Sequence, residues 1–161
     1  MQYDKEALRI KSDVRHNINL WLLSICFTVF TFIAAINPTI LKENFLLSLQ
    51  LTLSIPLFMT SVFARAKLAH TDHVKMWEEY GYATFIIAYS FLINVVGILL
   101  SILVTKEIAV IFFVTNILCA LLYSVIEVID DQSKWMSRVY KDVFFTFTLI
   151  TLGMLPCLGI F

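Results

Sequence analysis

Two long stretches without a single charged residue, Ala83 to Thr105 and Ile108 to Ile126, stand back to back and are separated only by Lys106 and Glu107. At 1.5 Å rise per residue the first makes a helix roughly 34 Å long, enough to cross a hydrocarbon core of about 30 Å. A helix of that length in water keeps one polar face, whereas Ile, Leu, Val and Phe surround most of this one. The pattern predicts a transmembrane hairpin, turning at Thr105, Lys106 and Glu107, with both ends in one aqueous compartment.

The rest of the chain has the same character. Hydrophobic residues make up 60% of it and charged residues only 15%, with a mean hydropathy of +0.85, so water cannot solvate its surface. Further apolar runs cover about 20–36, 45–64 and 143–161, and the charges fall between the runs. The expected class is all-α: a polytopic integral membrane helical bundle of about five transmembrane helices, forming a single domain over residues 19–161. Pro56 lies within the second span, where a kink is expected, and Gln50 in the same span is expected to turn inward. The last run contains Gly153, Pro156 and Gly159 and reads either as a bent span or as a re-entrant segment.

Ahead of the first span, Tyr3, Ala7, Ile10, Val14 and Ile18 repeat at helical steps, with charges on the other faces. This predicts an amphipathic helix over residues 1–18 that contacts the membrane or, more in keeping with its balanced charge, neighbouring helices. Lysine and arginine then set the orientation. Ten of the twelve lie before the first span, in Arg65 to Lys75, or in Lys134 to Lys141; only Lys42 and Lys106 lie on the other side. The positive-inside bias puts the amino-terminal end in the cytoplasm and, with five spans, the carboxyl-terminal end outside.

Small and polar residues recur at helical steps in two spans. Ser90, Asn94, Gly97, Ser101 and Thr105 share one face, and Asn116, Ala120, Tyr123, Glu127 and Asp131 share another. Such rows are packing seams, or they line a water-filled path when several chains assemble. On the second reading Ser90, Asn94, Gly97, Ser101, Asn116 and Tyr123 are the pore-lining candidates, and Glu127, Asp130 and Asp131 form an acidic cytoplasmic mouth. Ser24, Thr28, Thr31 and Ala35 make a comparable row in the first span and read as a packing face.

The richest polar patch runs from Arg65 to Tyr82. Arg65, Lys67, His70, His73 and Lys75 are candidates for holding an anionic ligand, the alternative being an ordinary juxtamembrane excess of cations. His70, Asp72 and His73 lack further ligands at convincing spacing, so neither a metal nor another cofactor is expected. Cys26, Cys119 and Cys157 lie in apolar runs without metal or redox spacing. The spans hold no Asp, Glu, His, Lys or Arg well inside their boundaries, and no nucleophile or phosphate-loop motif occurs, so an enzyme is not expected. The zero net charge gives no bulk attraction to nucleic acid.

The leading functional expectation is a small homo-oligomeric channel or pore-forming membrane effector, gated from its cytoplasmic face by an anionic ligand or partner protein. The competing expectations are a non-conducting anchor or assembly subunit that binds a partner, and a small-solute carrier.

Overall fold

The computed structural model describes residues 2–68, 71, 74–130 and 135–160, with side chains described from Asp13 onward except that of Ser137. Among these residues the chain is helical almost throughout. The helices are α1 (Gln2–Ile36), the short α2 (Thr39–Glu43), α3 (Phe45–Leu68), α4 (Val74–Leu103), α5 (Lys106–Asp130), α6 (Trp135–Leu149) and α7 (Leu155–Leu158). A π-helical turn, Ile150–Met154, joins the last two. Among the described residues five segments are long and apolar enough to cross a membrane: Asp13–Ile36, Phe45–Leu68, Val74–Leu103, Lys106–Asp130 and Arg138–Leu158.

The boundaries differ from the sequence expectation where polar residues extend a helix beyond its apolar run. The amino-terminal helix continues directly into the first span, α1 running without interruption from Gln2 to Ile36. Its 35 residues extend about 52 Å, well beyond a core of about 30 Å. Asn37 ends it by accepting from the Thr39 backbone N–H at 3.1 Å, just before Pro38 can start α2. The hairpin turn is also tighter than three residues. Thr105 caps α5, its hydroxyl oxygen accepting from the Ile108 N–H at 3.3 Å, so Lys106 and Glu107 already belong to the first turn.

Packing divides the chain into two units, residues 1–92 and 93–161, with the boundary inside α4. In the first unit Cys26, Phe58, Ala88 and Leu92 form a buried cluster, bordered by Leu22, Leu23, Ile55, Leu57, Phe85 and Tyr89. Phe85 meets Phe58 edge to face at 6.1 Å and stacks on Tyr89 at 5.9 Å. The face of α1 that turns inward carries Arg15, Asn19 and Cys26, while Val14 (54% exposed) and Ile18 point outward. Of the predicted amphipathic row, these two described members therefore face away from the chain's own packing. Gln50 is buried, and Pro56 lies inside α3 without ending it.

The second unit is organised around Phe113 of α5, which is completely buried. Its ring occupies a seat made by two glycines from other segments, Gly97 of α4 and Gly153 of the π-turn. A Cβ on either glycine would fall inside the ring's van der Waals envelope. Pro156 has no N–H to donate to the turn before it, and the wide π-turn that precedes it brings Gly153 against Phe113. Gly159 then closes α7 in the left-handed conformation at φ 76°, with Gly159 N–H donating to Pro156 O at 3.0 Å and Ile160 N–H to Leu155 O at 3.2 Å.

The seat makes a direct prediction. Gly153→Ala and Gly97→Ala each lower the thermal unfolding temperature in detergent, at a cost on the order of 1–3 kcal/mol for overpacking, although Ala is the better helix former. In a Phe113→Ala background the methyl added at position 97, whose three nearest atoms all belong to that ring, has room, so Gly97→Ala then costs much less; equal cost in both backgrounds would remove the ring from the explanation.

Candidate functional site

Polar groups gather at two places, one in each unit. In the first unit a hydrogen-bond chain ties three helices. The Asn19 side-chain amide of α1 donates to Ser61 Oγ of α3 at 2.7 Å, and the Ser61 hydroxyl donates to the Gly81 carbonyl of α4 at 2.6 Å. All three residues are buried. Gly81 eases this approach, since a Cβ there would stand 3.0 Å from Ala64 Cβ and push it by a few tenths of an ångström. One turn further out, Arg15 Nη1 donates to Glu78 Oε1 at 3.0 Å, each side chain about one-third exposed.

Arg65 lies beside this pair and is only 4% exposed. Its Nε stands 3.6 Å from where a Gly81 Cβ would be, so the glycine lets the guanidinium lie close against α4. It interacts electrostatically with Arg15, Glu78 and Tyr82. The other proposed anion ligands are placed differently. Lys67 is exposed, and Lys75 is exposed with its Nζ 4.0 Å from Glu79 one helical turn on. His70 and His73 lie outside the described residues. The structure therefore turns Arg65 inward towards Arg15 and Glu78, and leaves Lys67 and Lys75 on the outside.

The innermost pore-lining candidates of α4 are enclosed by the chain itself. Ser90 and Asn94 are fully buried, Ser90 falling just inside the first unit, and its hydroxyl donates to Ile86 O at 2.8 Å. The Asn94 amide donates to Thr148 O of α6 at 3.3 Å, and its oxygen lies against Gly153. Gly97 is covered by Phe113, and Cys157 Sγ lies 3.8 Å from the Gly97 carbonyl oxygen. Ser101, half-buried, donates to Ile98 O at 3.0 Å.

The row on α5 is more open. Asn116 is half-buried and donates to Phe112 O at 2.8 Å, while Tyr123 is 60% exposed. At the end of this row Glu127 forms an ion pair with Arg138 of α6, and the Arg138 guanidinium also lies over the Tyr123 ring, 5.1 Å from its centroid. Ser124 donates to Asp142 at 2.8 Å and ties the same two helices. Asp130 is exposed, and Asp131 lies outside the described residues. Glu127 is thus engaged in holding α5 to α6 in this conformation. Among the described residues no group of three or more His, Cys, Asp or Glu converges as a metal site.

Neither tie is announced by a motif. Arg15 and Glu78 are 63 positions apart, and Arg138 and Glu127 belong to different helices, so only the fold brings each pair together. The signal that was available is weaker: Asn19 sits at the start of an apolar run, where an amide with two donors and an acceptor needs a partner. Comparison with protein-family models, with curated proteins and with solved structures finds no match to this chain.

The α5–α6 tie is testable as a coupled pair. Glu127→Gln leaves Arg138 as an uncompensated, largely buried charge, and Arg138→Gln does the same to Glu127. Each single change is expected to cost about 2–3 kcal/mol of unfolding free energy in detergent, somewhat less than a fully buried pair. The double variant recovers a substantial part, and strict additivity would mean the two side chains do not interact.

Proposed function

We propose that this chain is a non-conducting integral membrane subunit that assembles laterally with further copies of itself, with its amino-terminal end in the cytoplasm and its carboxyl-terminal end outside. The observation that carries this reading is the outward row on α1. Ser24, Thr28, Thr31 and Ala35 are exposed, and each hydroxyl donates back to a carbonyl one turn earlier, Ser24 to Leu20 O, Thr28 to Ser24 O and Thr31 to Phe27 O. A row of small side chains with satisfied hydroxyls is comfortable in lipid and lets another helix approach closely, which is how helices associate where hydrophobic drive is absent.

The channel reading receives less support from the same geometry. A conducting path along Asn94, Gly97 and Ser101 would need Phe113 to leave its glycine seat and Asn94 to leave Thr148. The exposed faces of α5 are chiefly Ile, Leu and Val, which suit lipid rather than water. An enzymatic role has no cluster of nucleophile and base among the described residues to support it.

Two measurements on the full chain in sealed liposomes test the proposal. Subunit counting by fluorescence should give an oligomer, and Thr28→Leu with Thr31→Leu should raise its dissociation constant about tenfold, a change of about 1.4 kcal/mol. Ion flux should not exceed that of protein-free vesicles. Flux that falls when Asn94 or Asn116 is replaced by Leu would return the channel, and a monomer at all protein densities would remove lateral assembly.

A further inference from the structure

The part of α1 that outruns the membrane carries an exposed apolar edge. The helix has 35 residues and extends about 52 Å, so a hydrocarbon core of about 30 Å leaves about 22 Å of it, roughly 15 residues, outside. Asn19, Cys26 and Ile33, each one heptad after the last, are buried within the first unit. On the opposite side of the helix Val14, Asn17 and Trp21 continue at steps of three and four into Ser24, Thr28, Thr31 and Ala35, and all of these are exposed. In the sequence the same steps run back through Ile10 and Ala7 to Tyr3. A strict three-four repeat of this length is the seam of a left-handed coiled coil, because on a straight helix such a row drifts by about 20° per heptad.

The residues beside the row change character where the helix enters the membrane. With the row at heptad positions a and d, the flanking e and g positions hold Asp4, Glu6, Lys11 and Asp13 in the part outside. Further on they hold Ile18, Leu20, Ile25, Phe27, Phe32 and Ala34, all exposed and none charged. The flanks thus suit water first and lipid next, while the row between them keeps its spacing through both. Lipid covers the row only inside the bilayer. It does not cover Val14, 54% exposed, or the positions before it, because α1 runs on without a break and so does not fold down onto the membrane surface. A second copy of the chain fits instead. Copies inserted with one topology run parallel, and in a parallel pair each g position faces the next e position of the other helix. Glu6 at g then faces Lys11 at e, twice by symmetry, and Asp13 at g faces Ile18, so no like charges meet.

We propose that α1 pairs with α1 of a second copy as a parallel, in-register coiled coil that begins outside the membrane and continues through it. This rests on the lateral assembly proposed above and specifies it as a two-fold dimer. Ile10 and Val14 supply apolar contact in water, and Ser24, Thr28, Thr31 and Ala35 let the two backbones close in lipid. Asn17, the one amide in the seam, meets its own counterpart, and Glu6 with Lys11 selects the same register.

Cross-linking and a charge swap test the pairing. With Cys26, Cys119 and Cys157 replaced by Ala, single cysteines are placed as Val14→Cys and Asn17→Cys, with Lys67→Cys as an exposed position off the row. The full-length protein in liposomes is oxidised with copper phenanthroline, and covalent dimer is read on a non-reducing gel. Positions 14 and 17 should cross-link about tenfold faster than 67. In the chain with its native cysteines, Glu6→Lys should raise the dissociation constant read by fluorescence about fivefold, and Glu6→Lys with Lys11→Glu should return it to within about twofold of the starting value. An oligomer that cross-links at 14 and 17 no faster than at 67 would overturn the coiled coil outside the membrane while lateral assembly stands. A charge swap that restores nothing would overturn the parallel register, and a monomer at all protein densities would remove the pairing and the lateral assembly together.

Discussion

A polar group inside an apolar bundle has no water to turn to, and in hydrocarbon it has none outside either, so its partner must come from the chain. That constraint explains where the helices touch most closely. Asn19 reaches Ser61, and Ser61 reaches the Gly81 carbonyl at a point where Gly81 puts no side chain against Ala64. Asn94 reaches the Thr148 carbonyl beside Gly153, which again has no side chain to intervene. Glycine at the contact and an amide or hydroxyl beside it recur in both units, and the aromatic rings fill what remains.

The helices themselves were legible because length and the absence of charge are properties of a run of residues. The chain is all-helical among its described residues, and five of its helical segments are long and apolar enough to cross a membrane, as the runs predict. What the runs do not contain is which face turns inward. In water an apolar stripe marks the core, but around a membrane helix the exterior is as apolar as the interior. Val14 and Ile18 illustrate the failure: they follow the helical period and point outward, while Arg15 and Asn19 turn in.

Amides are better guides than hydroxyls. Asn19, Gln50 and Asn94 are all buried, because a back-bond to one carbonyl cannot satisfy two N–H donors and an acceptor. Serine and threonine can give their one proton to a carbonyl a turn earlier and face either way, which is why Ser90 is inside while Ser24, Thr28 and Thr31 are outside. The α4 row therefore reads from this structure as the inner seam and the α1 row as the outer one. The ion pairs Arg15–Glu78 and Arg138–Glu127 were beyond sequence reasoning for a different reason: long-range pairs follow from helix register, which no local spacing encodes. His70, His73 and Asp131 lie outside the described residues, so the expectations attached to them have no structural counterpart.

The central claim is that the polar row of α4 is consumed by packing within one chain. Its most direct measurement is water accessibility of that row in the bilayer. With Cys26, Cys119 and Cys157 replaced by Ala, single cysteines are placed as Ser90→Cys and Asn94→Cys, with Tyr80→Cys as an exposed reference. The protein in permeabilised liposomes is then treated with a charged methanethiosulfonate reagent. The account predicts rapid modification at position 80 and protection at 90 and 94 from either face. Modification at 90 and 94 at a rate comparable to that at 80, in variants that retain their unfolding temperature, would contradict it, because those side chains would then line water rather than neighbouring helices.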